Sequence, residues 1–372
     1  MSAAPPGSRR IVIAGGGTGG HLYPGLALAD ALTARGLEVT FVGTAGGIEA
    51  RVVPQSGYAL HLLPGRQLRG GGAGGAALAL GTAVSGTARG LRLLGELRPA
   101  LVAGVGGYAS VAVVLAARLR RIPTVLLEQN VIPGAANRTL ARIAQRVCVG
   151  FAESVGYFPV GRAVHTGNPV RADLLHRAVR APEVERTRLG LLVFGGSAGA
   201  RQVNRAVLEA LRILGPSVRS LEIVHQTGTA DVDEVRAGYA ALERPARVEA
   251  FIADMGTAYA GADIVVARAG AMSCAEITAV GLPAILVPYP HAADDHQRAN
   301  AEVLVRAGAA EMILDRELSG ERLAEALGAL VRDPERRARM ATQARACGIP
   351  DAAERVASEC MRLARACVPH VA

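Results

Sequence analysis

The chain of 372 residues is long enough for two domains, and half of its residues are hydrophobic although it contains no Trp and only 5 Phe and 7 Tyr. This composition argues against disorder and predicts a core of Ala, Val, Leu and Ile, as in parallel α/β sheets. The formal charge of +9 comes from 41 basic residues, all of them arginine, against 32 acidic ones. It suits nucleic acid or anionic lipid as a partner, or it reflects a genome composition that also favours Ala and Gly.

The five cysteines include no CxxC pair, which gives no zinc-type spacing and is typical of a reduced, cytoplasmic protein. No uncharged stretch forms a convincing span of the roughly 18–20 apolar residues that cross a bilayer as a helix. The apolar run after residues 1–10 is too short for a signal sequence. We therefore expect a soluble or peripheral protein.

Strands and helices alternate through the first half of the chain. Short apolar runs predict strands at Ile11–Ala14, Glu38–Val42, Leu60–Leu63, Leu101–Ala103, Thr124–Leu127 and Val147–Val149. Helical periodicity predicts helices at Pro24–Arg35, Ile48–Gln55, Ala76–Leu97, Ala109–Leu119 and Ala135–Ile143. This βαβα alternation is typical of a parallel sheet with helices on both faces.

The alternation breaks over Gly161–Arg180, which we interpret as an interdomain linker, and then resumes. The later strands are predicted at Leu191–Phe194, Glu222–His225, Val248–Ala250, Asp263–Val266 and Ala284–Val287. The later helices are predicted at Val203–Leu214, Val232–Tyr239, Met255–Tyr259, Met272–Ala279, Gln297–Arg306, Glu321–Leu330, Pro334–Ala346 and Asp351–Arg365. We expect two Rossmann-like domains, 1–167 and 168–350, with the C-terminal segment 351–372 packing back on the first.

Each half opens with an apolar strand, a glycine turn and a helix, and the two turns are Gly15–His21 and Gly195–Ala200. Backbone N–H groups at such a helix start bind anions, and ligands lie at the carboxyl ends of strands in open α/β sheets. Two such domains facing each other across a cleft would bring both turns to one site. The first turn also spells GxGxxG, but no acidic residue follows the second strand before Glu49, which argues against NAD(P), and no P-loop motif is present.

His21 stands where the first turn meets the helix. A neutral imidazole close to positive backbone dipoles can accept a proton near neutral pH, so we predict that His21 is a general base. The alternative base is Glu128, which follows a buried strand and comes shortly before Asn130. Packing or capping by His21, and a structural carboxylate at Glu128, are the non-catalytic interpretations.

Several stretches match the motifs of one known family, in the order of that family and along nearly the whole chain: Gly16–His21 with Pro24-Gly25, Gly106-Gly107-Tyr108, Glu128-Gln129-Asn130, Gly167–Arg171, Gly195–Ala200, Ala267–Glu276 and Asp295-His296-Gln297. In these stretches the chain resembles the MurG family of bacterial peptidoglycan glycosyltransferases. The resemblance implies the GT-B fold and the inverting transfer of N-acetylglucosamine from UDP-GlcNAc to the 4-hydroxyl of MurNAc in lipid I, which yields lipid II.

The resemblance also implies site residues. Thr18, Gly19 and Gly20 would approach the donor sugar and its diphosphate, Ser197 and Arg171 would hold the diphosphate, and Ile252 would offer its backbone to uracil. The nucleotide would be cradled by Ala271, Met272, Ser273, Cys274 and Ala275. Glu276 would bind the ribose hydroxyls, and Asn130 and Gln297, beside His296, would contact the sugar. Tyr108 and Arg69, within the loop 66–72, are the candidates on the acceptor side.

No metal or other cofactor is expected. Asp231-Val-Asp233 matches the DxD string of metal-dependent glycosyltransferases, but its place at a helix start predicts carboxylates that cap the helix. Asp294-Asp295 is interpreted as a loop or a cap. The backbone N–H groups and one arginine can stabilise the departing UDP instead.

The expected partners are UDP-GlcNAc, lipid I and the inner leaflet of the bacterial cell membrane, with the protein peripheral on its cytoplasmic face and no nucleic acid bound. The expected membrane contact is Arg66–Arg92, where Leu78, Leu80, Leu91 and Leu93 would offer apolar surface and Arg120-Arg121 lies nearby. The rival hypotheses are another GT-B transferase with a different acceptor, a UDP-sugar 2-epimerase, an NAD enzyme and a non-enzymatic nucleotide-sugar or nucleic-acid binder.

Overall fold

A computed structural model describes residues 9–63, 73–179, 188–196 and 199–366, except for the side chains of residues 73–83, of Tyr108 and of Ala366. The chain divides into two compact units. Unit 1 comprises residues up to Arg171 together with those from Asp351 onward, and unit 2 comprises Ala172–Pro350. The last six residues of the predicted segment 351–372 lie outside the described residues.

Unit 1 is built on a seven-stranded sheet in which every neighbouring pair is parallel. Its strands, in the spatial order β3-β2-β1-β4-β5-β6-β7, are β1 (Arg10–Gly15), β2 (Glu38–Thr44), β3 (Ala59–Leu63), β4 (Leu101–Gly106), β5 (Thr124–Glu128), β6 (Arg146–Val149) and β7 (Ala163–His165). Alternate residues of β1 enter two separate cores, Ile11 and Ile13 on one face and Val12 and Ala14 on the other. Burial on both faces is the reason that this strand is apolar throughout.

The helices of unit 1 cover both faces of this sheet. They are α1 (Gly19–Ala34), α2 (Glu49–Gln55), α3 (Ala73–Leu97), α4 (Tyr108–Leu119), α5 (Ala135–Leu140) and α14 (Ala352–Ala366), with a 3-10 helix at Ala152–Tyr157. Helix α14 packs on α1 through Val356 and Cys360, which are fully buried, and ion pairs join Arg35 to Glu354 and Arg146 to Glu359.

Helix α1 begins at Gly19, five residues before the predicted start at Pro24. Proline lacks an N–H group, so the pattern suggested that Pro24 opens the helix. Inside the helix, however, Pro24 forfeits only the hydrogen bond to the carbonyl of Gly20. Gly20 is exposed, so water can replace that bond, and Leu22 is fully buried in the core. The early start places His21 in the first helical turn.

Unit 2 repeats the plan with a six-stranded parallel sheet in the order β10-β9-β8-β11-β12-β13. Its strands are β8 (Gly190–Phe194), β9 (Glu222–Gln226), β10 (Ala246–Glu249), β11 (Ile264–Ala267), β12 (Ala284–Leu286) and β13 (Ala310–Met312). Its helices are α6 (Ala172–Ala178), α7 (Arg201–Leu214), α8 (Val232–Ala241), α9 (Met255–Ala260), α10 (Ala271–Val280), α11 (His296–Arg306), α12 (Gly320–Arg332) and α13 (Pro334–Cys347).

Both sheets therefore start in the middle, run outward by two strands, and return to the other side of the first strand. This is the Rossmann order, and it confirms the predicted α/β class with parallel sheets. The order reverses between β1 and β4 in unit 1 and between β8 and β11 in unit 2. Ligands bind in such folds at the carboxyl ends of the strands beside the reversal, which is where both glycine turns lie.

Two of the four leucines predicted to contact the membrane do not form an exposed surface. Leu91 and Leu93 are partly buried and pack against the core beside α4, so they do not form an exposed apolar surface. The backbone oxygen of Leu91 also accepts a hydrogen bond from Arg120 Nε at 2.6 Å. Residues 66–72 lie outside the described part of the chain, as do the side chains of Leu78 and Leu80. No helix among the described residues is long and apolar enough to cross a membrane.

The packing of α14 gives a test of the core of unit 1. Val356→Ala removes two methyl groups from a fully buried position and should destabilise the protein by about 2 kcal/mol through lost burial and a cavity. The measurement is thermal unfolding followed by circular dichroism. Val160→Ala, at a position that is 103% exposed, is the control and should leave the unfolding temperature unchanged. Equal unfolding temperatures for the two variants would contradict the packing described for α14.

Candidate functional site

The turns that follow β1 and β4 interlock through glycines. A Cβ atom at Gly15 would lie 2.4 Å from the carbonyl oxygen of Gly106, and one at Gly107 would lie 2.5 Å from the carbonyl oxygen of Gly16. All four residues also have φ between +79° and +148°, a region that favours glycine. Glycine is thus required here by space as well as by backbone conformation.

His21 is held in the first turn of α1 against this pair of turns. Its Nδ1 lies 3.4 Å from Thr18 Oγ1, and its ring is so close to Gly106 that a Cβ there would be 2.5 Å from His21 Cδ2. The amides of Gly19 and Gly20 belong to the first helical turn and have no carbonyl partner within the helix. The structure therefore brings Thr18, Gly19, Gly20 and His21 together at the switch point of the first sheet.

Glu128 is the end of β5 and is only 3% exposed. Its carboxylate accepts hydrogen bonds from the amides of Asn130 at 3.0 Å and Gly134 at 3.2 Å, and from Asn137 Nδ2 at 2.9 Å. Burial raises its pKa, and the hydrogen bonds from Asn130 and Asn137 oppose that rise. This arrangement fixes the loop that carries Asn130 and favours a structural role for Glu128 over that of the alternative base.

The second glycine turn lies at the equivalent place in unit 2. Gly196 and Gly199 have φ of +83° and +78°, and a Cβ at Gly199 would lie 2.2 Å from the carbonyl oxygen of Thr227. Ser197 and Ala198, between them, lie outside the described residues. The turn is therefore pressed against the end of β9, and its middle carries the predicted diphosphate contact.

Gln226, the last residue of β9, joins this turn to the predicted uracil contact. Its Nε2 donates to the carbonyl oxygen of Gly196 at 2.9 Å, and its Oε1 accepts from the amide of Ile252 at 2.9 Å. Gln226 is buried, and its bond with Ile252 is protected from water. The amide of Ile252 is consequently used inside the protein, which leaves its carbonyl as the group that can face a base.

The prediction that the Asp231 side chain caps α8 is wrong. Asp231 stands at the N-cap position, but its Oδ1 accepts from Arg201 Nε at 2.8 Å and its Oδ2 from Asn204 Nδ2 at 3.0 Å. Asn204 Oδ1 in turn lies 3.1 Å from Nε2 of the buried His225. Burial lowers the pKa of His225 to about 3, so this imidazole is neutral at physiological pH. The carboxylate ties the start of α7 to α8. Asp233 lies in the first turn of α8, where a carboxylate favours the helix dipole as predicted, and it pairs with Arg236.

Helix α10 provides the third predicted binding segment. Ala271 and Cys274 face the core, whereas Met272, Ser273, Ala275 and Glu276 are partly exposed. Burial raises the pKa of Cys274 to about 12, so its thiol stays protonated. Glu276 Oε2 accepts a hydrogen bond from the fully buried Tyr259 at 2.9 Å, which orients the carboxylate that is predicted to bind ribose.

The remaining predicted site residues belong to several different segments of the chain. Gln297 Oε1 accepts from the amide of Tyr289 at 2.9 Å, and His296 Nδ1 lies 2.6 Å from the carbonyl oxygen of Ala293. Arg171 belongs to unit 1, where its guanidinium lies 5.5 Å from the ring centroid of Tyr23. Tyr108 begins α4, and Arg69 lies outside the described residues. Asp294 and Asp295 end the short 3-10 helix Ala293–Asp295, and Asp295 stands at the N-cap position of α11, where its side chain makes no cap hydrogen bond.

Three buried polar residues at these sites were not predicted from the sequence: Gln226, Glu49 and Arg268. Glu49 binds the amide of Gly17, and Arg268 pairs with Asp315 at 2.5 Å just before α10. In the sequence, the only sign of such a residue was a polar side chain directly after a predicted apolar strand. Gln226 and Arg268 follow such strands closely. Glu49 comes five residues after β2, and its partner was not visible in the sequence. Among the described residues, no cluster of three His, Cys, Asp or Glu side chains could hold a metal ion.

Comparison with known proteins identifies the family. The N-terminal domain of glycosyltransferase family 28 matches residues 11–149, and the C-terminal domain of the same family matches residues 190–356. The chain belongs to glycosyltransferase family 28.

Full-length relatives narrow this further. The family 28 chain is 47% identical over 356 residues, 95% of its length and 98% of the relative, to the Geobacter metallireducens protein named UDP-N-acetylglucosamine--N-acetylmuramyl-(pentapeptide) pyrophosphoryl-undecaprenol N-acetylglucosamine transferase. A Myxococcus xanthus protein of the same name is 46% identical, with 95% and 93% covered. The crystal structure of Acinetobacter baumannii MurG superposes with a TM-score of 0.77 at 32% identity, covering 95% of this chain and 99% of that one. The predicted MurG family and GT-B fold are confirmed.

The bridge made by Gln226 in this family 28 enzyme can be tested by binding. Gln226→Ala removes both hydrogen bonds, so the second glycine turn and the segment at Ile252 lose their common support. The dissociation constant for UDP, measured by calorimetry, should rise about tenfold, which corresponds to about 1.4 kcal/mol. Gln343→Ala, at an exposed glutamine of the same unit, is the control and should bind UDP normally. An unchanged constant in folded Gln226→Ala would show that the bridge does not support nucleotide binding.

Proposed function

We propose that the protein transfers N-acetylglucosamine from UDP-GlcNAc to the 4-hydroxyl of the N-acetylmuramic acid unit in lipid I, with inversion, and so forms lipid II for the cell wall. The observation that carries this assignment is the 47% identity, along 95% of the chain, to a relative named for N-acetylglucosamine transfer to N-acetylmuramyl-(pentapeptide) pyrophosphoryl-undecaprenol. The glycine turn that holds His21 supports this assignment. It places a base beside two amides that have no carbonyl partner within their helix.

His21 is the general base of the proposed reaction. As the acceptor 4-oxygen forms its bond to the anomeric carbon of the sugar, the hydroxyl proton passes to the imidazole of His21. The bond from that carbon to the β-phosphate oxygen breaks, and UDP leaves with the electron pair. A single displacement of this kind inverts the anomeric centre and needs no covalent intermediate. Thr18, at 3.4 Å from Nδ1, orients the ring.

The donor is bound mainly by residues of unit 2. Ser197 and the start of α10, from Ala271 to Ala275, hold the diphosphate and the nucleotide, with Arg171 as the cation. Glu276, oriented by Tyr259, accepts hydrogen bonds from the ribose hydroxyls. The carbonyl of Ile252 accepts the imide N–H of uracil, because its own amide is bonded to Gln226. Thr18, Gly19, Gly20, Asn130 and Gln297 contact the transferred sugar.

The proposed reaction uses no metal or other cofactor, since helical amides and one arginine stabilise the charge that develops on UDP. Lipid I is the acceptor, approached by Tyr108 and the loop 66–72, and nucleic acid is not a partner. Because the acceptor is anchored in the bilayer, we place the protein as a peripheral protein on the cytoplasmic face of the bacterial cell membrane. The exposed Arg89 and Arg92 of α3 supply the basic contact.

Product analysis tests the assigned activity. Purified protein with UDP-GlcNAc and lipid I should yield lipid II by mass spectrometry, and it should yield no glycolipid from diacylglycerol and no epimerised sugar nucleotide. His21→Ala should lower kcat by roughly 10²–10⁴-fold, with the affinity for UDP little changed, because only the proton acceptor is lost. Formation of no lipid II by the unaltered protein would refute the function. Near-normal turnover of His21→Ala would remove His21 from its role and promote Glu128.

Membrane binding is tested separately. The protein should co-sediment with vesicles that contain phosphatidylglycerol at low salt, since each basic residue near an anionic surface contributes about 1 kcal/mol. High salt should release it, because the attraction between separated charges is screened. Phosphatidylcholine vesicles are the control. Absence of binding to anionic vesicles even at low salt would contradict the proposed contact.

A further inference from the structure

Glu49 is a buried carboxylate placed beneath the first glycine turn. It begins α2, is 1% exposed, and accepts a hydrogen bond on Oε2 from the amide of Gly17 at 2.7 Å. Its Oε1 accepts from both the amide and the hydroxyl of Thr44, each at 2.9 Å. None of the ion pairs found among the described residues involves Glu49. Two amides and one hydroxyl therefore stabilise the buried charge.

Three glycines make room for this carboxylate. A Cβ atom at Gly16 would lie 2.3 Å from Glu49 Cδ, one at Gly43 would lie 2.5 Å from Cγ, and one at Gly47 would lie 2.0 Å from Oε2. The glycine turn, the end of β2 and the loop before α2 thus all close around one side chain. Removing its oxygens would take these partners from the half-buried amides of Gly17 and Thr44, which is costly.

The hydrogen bond from the Gly17 amide to Glu49 directs this amide into the protein and away from a ligand. In dinucleotide-binding proteins, an acidic residue after the second strand binds the ribose of the ligand. Here the acidic residue after β2 turns inward and occupies the anion position of the turn itself. A buried negative charge at this place opposes a diphosphate beside Gly16 and Gly17. The amides of Gly19 and Gly20, in the following helical turn, have no carbonyl partner within the helix and can face a substrate.

Unit 2 provides an internal comparison. Gln226 comes from the strand that occupies the same position in its sheet as β2, and it also holds the neighbouring glycine turn. It donates a neutral amide to a carbonyl, however, whereas Glu49 offers a charge to an N–H. The two turns resemble each other in sequence but rest on supports of different chemistry, and only the first support places a carboxylate at the turn.

We propose that Glu49 is a positioning residue that fixes the first glycine turn, and through it the entry of α1 and the orientation of His21. The role of Glu49 in catalysis rests on the proposed role of His21 as the base. The uridine part of the donor is bound mainly by residues of unit 2, so loss of Glu49 lowers the rate of the chemical step and leaves the affinity for UDP unchanged.

Gln145 provides a matched control. Its Oε1 accepts from the amide and the hydroxyl of Thr124 at 2.8 and 2.9 Å, the same pair of bonds that Glu49 makes with Thr44. Thr124 begins β5, at the end of the sheet opposite the glycine turns. Gln145→Ala therefore removes comparable support for a threonine of the same sheet at a place remote from His21.

Steady-state kinetics of lipid II formation test the role. Glu49→Ala should lower kcat about 100-fold and Glu49→Gln about tenfold, because Gln keeps one acceptor for Gly17 and a small displacement of a catalytic group is costly. The dissociation constant for UDP should change less than twofold in both variants, and Gln145→Ala should keep the kcat of the unaltered protein. Glu49→Gln keeps the size of the side chain, so the test stands even where Glu49→Ala does not fold. A kcat of Glu49→Gln equal to that of Gln145→Ala, or a loss confined to KM, would overturn the role.

A double variant separates this inference from the role of His21. If Glu49 acts through His21, adding Glu49→Gln to His21→Ala should produce no further loss of kcat. A further tenfold loss would show that Glu49 acts by another route. Normal turnover of His21→Ala alone would refute the base and leave the comparison of Glu49→Gln with Gln145→Ala as an independent result.

Discussion

The first glycine turn depends on the exclusion of every Cβ atom from the space between β1, β4 and α2. Gly15 and Gly107 pack against backbone of the opposite turn, and Gly16 packs against the carboxylate of Glu49. The hydrogen bond from Gly17 to that carboxylate holds the turn from below. The start of α1, and with it His21, is set by this arrangement. A change in any of these small residues would therefore reach the proposed base without contacting substrate.

The two units show how one topology supports two kinds of chemistry. Each has a glycine turn at the switch point of a parallel sheet, and each turn is held by a buried polar side chain from the second strand or just after it. The carboxylate of Glu49 fills the anion position of the first turn. The amide of Gln226 leaves the second turn uncharged and joins it to Ile252. We infer that the first unit carries the proton acceptor and that the second carries the nucleotide.

The sequence predicted the central strands and the two turns because both have local signatures. Buried parallel strands are continuous apolar runs, and glycines mark the turns. The three-residue edge strand β13 was missed, since so short a segment with partly exposed residues has no pattern. Of β7, only the strand end at His165 was predicted. The start of α1 was placed too late because Pro24 resembles a first helical residue.

Asp231 was expected to cap α8 and instead binds Arg201 and Asn204 of the preceding helix. Contacts between residues about 30 positions apart leave no periodic trace, and this also explains why Glu49 and Gln226 were not foreseen.

A crystal structure of the protein with UDP bound tests most directly whether the second turn, and not the first, binds the diphosphate. We expect diphosphate oxygens within hydrogen-bond distance of the turn at residues 195–199 and of the start of α10, with the uracil imide facing the carbonyl of Ile252. We also expect that Glu49 keeps its bond to the amide of Gly17. A diphosphate seated on the amides of Gly16 and Gly17, with Glu49 displaced, would contradict the account.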